Sequence, residues 1–137
     1  MTDKQKDLCV YRFAQAGETI KNAKLCVDNR FYKDAINRAY YAAFYAVKAI
    51  LAISDVDFKR HKDVVAYFNQ YYVATDMFSR EVGRRLARLQ KKRETSDYDD
   101  FYVASAAEAE EQLESAKSIV SEIEIYLQHH EIIQKDK

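Results

Sequence analysis

Apolar positions recur along this chain at intervals of three and four residues, the spacing of an α-helix that buries one face. Cys9, Phe13, Ala16, Ile20, Ala23 and Val27 form one such seam and predict a first helix from roughly Lys4 to Asp28. Asp28-Asn29-Arg30 then breaks it, and so short a turn forces the next helix to lie antiparallel beside the first. That second helix, Tyr32 to Leu51, reads YKDAINRAYYAAFYAVKAIL, and from Ala39 to Val47 every residue is Ala, Tyr, Phe or Val. A helix that is apolar on nearly every side must be buried on nearly every side, which places it at the centre of a bundle.

Ser54 to Arg60 reads as a polar linker holding Val56 and Phe58. A shorter third helix is expected over His61 to Tyr72, with Val64, Val65, Phe68 and either Tyr71 or Tyr72 facing inward. The fourth is expected over about Ser79 to Arg93, where the stripe Phe78, Val82, Leu86 and Leu89 extends by the same spacing to Arg93, so a row that begins as core ends on a guanidinium. The segment ETSDYDD, Glu94 to Asp100, is polar and turn-prone, and FYVASAAEA leads into a last helix with the seam Ala106, Ala109, Leu113, Ala116, Val120, Ile123 and Leu127. The tail is expected to fray from about residue 129. The fold class is therefore all-α: one domain over residues 1–137, an up-and-down four-helix bundle with an additional short helix.

Composition supports this reading. There is no Pro and there are only 2 Gly, Gly17 and Gly83, so helix formers dominate and punctuation is sparse. The 22 basic residues balance the 22 acidic ones, and no global field draws the protein toward nucleic acid or membrane. Cys9 and Cys26 are too few for a disulfide framework or a zinc site and read as reduced packing residues. With no charged-then-apolar leader and no long uncharged apolar run, a cytoplasmic protein without membrane association is expected.

Candidate chemistry lies in three places. Arg38 shares a helix face with Tyr41, Ala42, Tyr45 and Ala49, and a cation on such a face needs partners because an unpaired buried charge is very costly. Arg93, with Asp97 four residues on and Tyr98 next to it, forms either a helix-end salt bridge or, with Arg38 and Tyr41, a polar groove able to hold a phosphate or nucleotide. His61, within KRHKD, has Lys59, Arg60 and Lys62 around it, whose like charge is expected to depress its pKa; it either packs at the helix start or takes part in chemistry. A basic run, Arg80, Arg84, Arg85, Arg88, Lys91, Lys92 and Arg93, has a single acid, Glu81, among it. It reads as a solvated face, as the electrostatic partner of the acidic last helix, or as a strip that tracks a phosphate backbone. There is no Gly-rich phosphate loop, paired-His metal motif or nucleophile elbow, and neither a cofactor nor a metal is expected.

The elements YKDAINRAYYAAFYAVKAIL, FKRHKDVVAYFNQ and RETSDYDDFYVASAAEAEEQLESAK, taken together, resemble the HEPN family of small prokaryotic helical-bundle domains. The similarity covers nearly the whole chain and is greatest to short stand-alone proteins in which Asn-Arg-x-Tyr-Tyr-Ala, Lys-x-His-Lys and Arg-x-x-x-Asp-Tyr recur in this order. The resemblance implies a homodimer with a polar groove near its axis. For many members it implies metal-independent RNA cleavage, often by a toxin paired with a minimal nucleotidyltransferase antitoxin. The family's catalytic motif is an Arg followed, after four to six residues, by a His. Arg93 matches that Arg, but Tyr98, Asp99 and Asp100 stand where the His would be, and no His occurs between Lys62 and Gln128. Metal-free RNA cleavage needs groups to remove and to supply protons, and Tyr98, with an ordinary pKa near 10, is a poor replacement.

Three functions follow as expectations. The leading one is a non-catalytic module that holds RNA, a nucleotide or a partner nucleotidyltransferase through Arg38, Tyr41, Arg93, Asp97 and Tyr98. The second is a divergent endoribonuclease toxin in which His61 serves Arg93 as general base. The third is a structural protein whose polar residues only set the register of a dimer.

Overall fold

The computed structural model describes residues 1–134. It is all-α, with helices α1 (Asp3–Asp28), α2 (Tyr32–Ile53), α3 (His61–Phe68), α4 (Arg80–Tyr98) and α5 (Ala106–His129), and a π-helical turn, Asn69–Val73, that continues α3. α2 packs against all four other helices, as its all-round apolar composition requires. Its alanines at 35, 39, 42, 43, 46 and 49 are fully buried and let neighbouring backbones approach on more than one side, while Ile36, Tyr40, Ile50 and Leu51 fill the space between them. Among the described residues no helix is long and apolar enough to cross a membrane.

Local chemistry sets the helix starts. Thr2 and Gln5 cap α1 reciprocally, and Ser105 and Glu108 do the same for α5. Ser79 caps α4, and its own amide donates to the Glu122 carboxylate on α5 at 3.0 Å. The turn from α1 to α2 is closed by the Asn29 side-chain amide, which donates to the Leu25 carbonyl at 2.8 Å, and by Arg30 with φ of 63°. Glu108 also accepts from the Tyr102 hydroxyl and, at 2.9 Å, from Lys92 on α4. These donors hold its carboxyl down to about 2.

Several sequence expectations change. α4 runs five residues past Arg93, to Tyr98. The inward row continues beyond Leu89 through Arg93 to a fully buried Ser96, and it keeps the polar segment helical. Of Tyr71 and Tyr72, the inward residue is Tyr72. The α5 seam gains buried Gln112 and Ile119, while Ala106 is only half-buried. The expected fraying from about residue 129 is corrected as well. After His129 the chain turns at Glu131, φ 59°, and sets Ile132 into the core at 5% exposure, since an exposed isoleucine beside an open apolar seam gains from burial. Residues 135–137 lie outside the described residues.

The basic run does not pair broadly with the acidic helix. Glu81 on α4 itself takes Arg84, Arg85 and Arg88 at 2.8 to 3.3 Å. Between α4 and α5 the salt bridge among the described residues is Lys92–Glu108. Cys9 is buried, Cys26 half-buried, and both are free thiols.

Candidate functional site: a cation and aromatic cluster at the α2, α3 and α4 crossing

The early turns of α2, the first residue of α3 and the late turns of α4 meet at one place. Their meeting point is the ring of Tyr41, with the Arg38 guanidinium 5.1 Å from its centroid, the His61 ring 5.7 Å away and the Arg93 guanidinium 5.8 Å away. Arg93 lies closer still to the ring of Tyr40, at 4.7 Å. Arg38, His61 and Arg93 therefore converge, although they come from three different helices.

Arg93 is the most constrained of the three. It is 9% exposed, and its Nη1 is 3.7 Å from Asp97, one turn further along α4. Its buried Nε has no hydrogen-bond partner among the described residues. The faces of Tyr40 and Tyr41 supply cation–π attraction in place of a full set of acceptors. Burial works against the charge on Arg93, but Tyr41, Tyr40, Asp97 and Tyr98 together outweigh it and raise its pKa. The residue stays cationic.

Arg38 is tied down differently. Its Nη2 and Nε donate to the Asn37 side-chain oxygen at 2.7 and 3.0 Å, and Asn37 in turn donates to Asp97 at 3.2 Å. Asp97 thus links both arginines, directly to Arg93 and through Asn37 to Arg38. Tyr98 is 76% exposed and borders an open cleft of about 530 Å³ with Arg93, Glu94, Thr95 and Asp99.

His61 packs against Phe44, with ring centroids 4.2 Å apart, and its Nδ1 is 3.3 Å from the Tyr40 hydroxyl. Its pKa is lowered first by burial, then by the charges of Arg93 and Lys48. The direction agrees with the sequence reading, but the cause does not: Arg60 is occupied by Asp63 at 2.9 Å, and the cations that act on His61 come from α4 and α2. Tyr40 is pushed up to about 12, mainly by burial and against the opposing pull of Arg93, so its hydroxyl keeps its proton. The protonated Tyr40 hydroxyl either donates to Nδ1, with the imidazole proton on Nε2, or accepts from Nδ1–H, with Nε2 free.

Sequence reasoning met Asn37 and Tyr40 within the Asn-Arg-x-Tyr-Tyr-Ala element but gave neither a place in the site. Tyr40 reads as core from its apolar neighbours, and it is fully buried. Asn37 carried a usable signal, since a polar amide beside Arg38 on an otherwise apolar helix has to pair with something. His129 ends α5 and His130 follows it, its ring tilted against Tyr126 with centroids 4.2 Å apart. Among the described residues no group of three or more His, Cys, Asp or Glu side chains is placed to hold a metal ion.

The all-α bundle, with Asn-Arg-x-Tyr-Tyr-Ala on its central helix and Arg93 brought onto those tyrosines from α4, agrees with the HEPN resemblance of the sequence. The chain belongs to the HEPN domain family, which it matches over residues 10–126. It is similar to a UPF0332 protein of Thermotoga maritima, 32% identical over 124 residues that cover 90% of this chain and 93% of the relative. It is also similar to a Methanocaldococcus jannaschii protein named "Putative toxin", 31% identical over 112 residues that cover 82% of this chain and 78% of the relative. A second protein of that organism with the same style of name is 26% identical over 113 residues.

Proposed function

We propose that the cluster is a binding site for the phosphate of an RNA or nucleotide, with Arg93 as the principal anion contact and Arg38, Tyr41, Asp97 and Tyr98 around it. The carrying observation is the state of Arg93: a nine-tenths-buried cation that lines the open cleft and whose nearest carboxylate stands off at 3.7 Å. A phosphate oxygen in that cleft pairs the guanidinium more closely than Asp97 does, and charge-assisted bonds of this kind are among the stronger ones available to a protein. With Tyr40 donating to Nδ1, His61 carries its proton on Nε2 and adds a donor for the phosphate. The test is retention of a labelled RNA pool by the wild type and by Arg93→Gln across a salt series. Retention should fall steeply with salt in the wild type and be lost in the variant. Equal retention by both proteins would sink the reading.

A second reading rests on the distance between His61 and Tyr40. If the imidazole proton moves to Nδ1, Nε2 becomes free to act as a base beside a cationic Arg93, and the protein is a metal-independent endoribonuclease. The Methanocaldococcus relatives named as toxins favour this reading. Incubation with RNA in the presence of a chelator decides it: cleavage by the wild type that disappears in His61→Ala supports it, and intact RNA with both proteins removes it. In either reading the protein acts as a homodimer in a prokaryotic toxin–antitoxin type system with a nucleotidyltransferase partner. A monomer in sedimentation at micromolar concentration would count against that assembly.

A further inference from the structure

A cavity of about 450 Å³ opens between the first turns of α1 and the end of α2 with the linker that follows it. It shares no lining residue with the Arg93 cleft. Its apolar wall is Leu8, Ala52 and Val56, and Leu8 is left 42% exposed there. Small molecules bind in concave, mostly apolar sites of this size, where a few polar groups fix their orientation. Here the polar groups sort by bank. On the linker bank Asp55 stands at φ 55°, fixed by its own amide on the Ala52 carbonyl and by the Val56 amide on the Leu51 carbonyl, each at 3.3 Å. The salt bridges of this bank go to Asp57, which takes Arg12 at 3.3 Å and Lys48 at 3.7 Å, and Asp55 has none among the described residues. On the α1 bank Arg12 is engaged by Asp57 and by the Lys48 carbonyl. Lys4 is exposed and without a carboxylate partner among the described residues. Gln5 accepts from the Thr2 amide through its oxygen, and its amide nitrogen donates to no group among the described residues.

We infer that this cavity binds a free α-amino acid with an apolar side chain, of the leucine, methionine or phenylalanine kind. The α-ammonium goes to Asp55, where the negative end of the α2 dipole adds to the attraction. The α-carboxylate takes Lys4 and the Gln5 amide, and the side chain covers Leu8, Ala52 and Val56. An amine without a carboxylate leaves the α1 donors unmatched, and a fatty acid sets its charge against that of Asp55. The zwitterion answers both banks at once. A ligand that spans the banks joins the linker to α1, as the Arg12–Asp57 pair does beside it. That linker runs into α3 at His61, and Asp57 also holds Lys48. Lys48 stands over the Phe44 ring at 6.0 Å, and Phe44 packs on His61 at 4.2 Å. Occupancy is therefore felt at His61, which makes the amino acid an effector rather than a substrate. None of the ligand's contacts is among the phosphate contacts proposed around Arg93.

The test is calorimetric titration of the full chain with leucine and three relatives of it. 4-Methylpentanoate lacks the ammonium, leucinol lacks the carboxylate and glycine lacks the apolar body. Leucine should bind on the order of tenfold more tightly than each of the three. Asp55→Asn, whose side chain tolerates the left-handed backbone, should remove the advantage over 4-methylpentanoate. Lys4→Gln, at an exposed position, should remove the advantage over leucinol. In NMR spectra of the same protein the His61 ring signals should move along the saturation curve that the heat defines. Absence of binding by leucine, methionine and phenylalanine at millimolar concentration overturns the site. Equal binding of leucine and 4-methylpentanoate, or an advantage that survives Asp55→Asn, overturns the recognition of a zwitterion. A His61 ring that stays still while leucine saturates the protein overturns the effector role.

Discussion

The two halves of α4 carry arginines of opposite character. In the first half Arg84, Arg85 and Arg88 surround Glu81 at the surface, with ion-pair distances of 2.8 to 3.3 Å. In the second half Arg93 is buried, its carboxylate is 3.7 Å away, and two tyrosine faces replace the missing acceptors. The first group is denser in charge and closer in geometry, yet exposed pairs of this kind contribute only a few tenths of a kcal/mol, screened by water and salt. Burial without complete pairing marks the second as the place where an incoming anion gains most.

The contrast is broken most directly at Arg93. Arg93→Gln keeps much of the side-chain volume and removes the charge, and RNA affinity should fall by about 2 to 3 kcal/mol, roughly thirty- to a hundred-and-sixtyfold. Thermal denaturation should show that the variant still folds, since removing an incompletely paired buried cation also removes its desolvation cost. Affinity within twofold of the wild type would show that Arg93 is only architectural. Tyr40→Phe should cost about 1 kcal/mol of stability in urea, the usual net value of one hydrogen bond, because it deletes the hydroxyl on His61 while keeping the ring under Arg93.

A pH series sharpens the same comparison. The unfolded chain protonates His61 near its ordinary pKa of 6.5, whereas in the folded protein that pKa is lowered by burial, Arg93 and Lys48. Between the two values the unfolded state binds the extra proton. The stability contributed by neutral His61 is thus fully present above pH 6.5 and is lost as the pH falls through the folded value. Arg93→Gln should raise the His61 pKa, followed by NMR titration of the ring, and flatten this pH dependence. An unmoved titration would mean that burial and Lys48 set it without Arg93. The smallest effect is expected at the other half of the helix: Arg84→Ala should change stability by less than about 0.5 kcal/mol and leave dinucleotide binding untouched.

The helices were legible in the sequence because each presents its apolar residues at helical spacing. The end of α4 was not, because Glu94 to Tyr98 looks like a turn unless Ser96 is known to be buried. The tail misled for a similar reason: one isoleucine, Ile132, anchors a segment that is otherwise polar. Arg38 and Arg93 could be singled out as cations on apolar rows. Their meeting with His61 could not, since it depends on how three helices cross, and no local spacing encodes a contact between Tyr40 and a residue 21 positions away. Tyr40 itself was hidden by its neighbours, which make a hydroxyl that bonds His61 look like core.

The side chains of the cluster all lie between Asn37 and Tyr98, and Arg93 is made well after Arg38, the tyrosines at 40 and 41 and His61. A ribosome adding about 5 to 20 residues per second needs roughly 2 to 6 s to pass from His61 to Arg93. During that interval the growing chain already holds the tyrosines and the imidazole, but not the guanidinium that is to sit on them. The paired first two helices can form early, while the contact of the Arg93 guanidinium with Tyr40 and Tyr41 is completed only as the fourth helix is made.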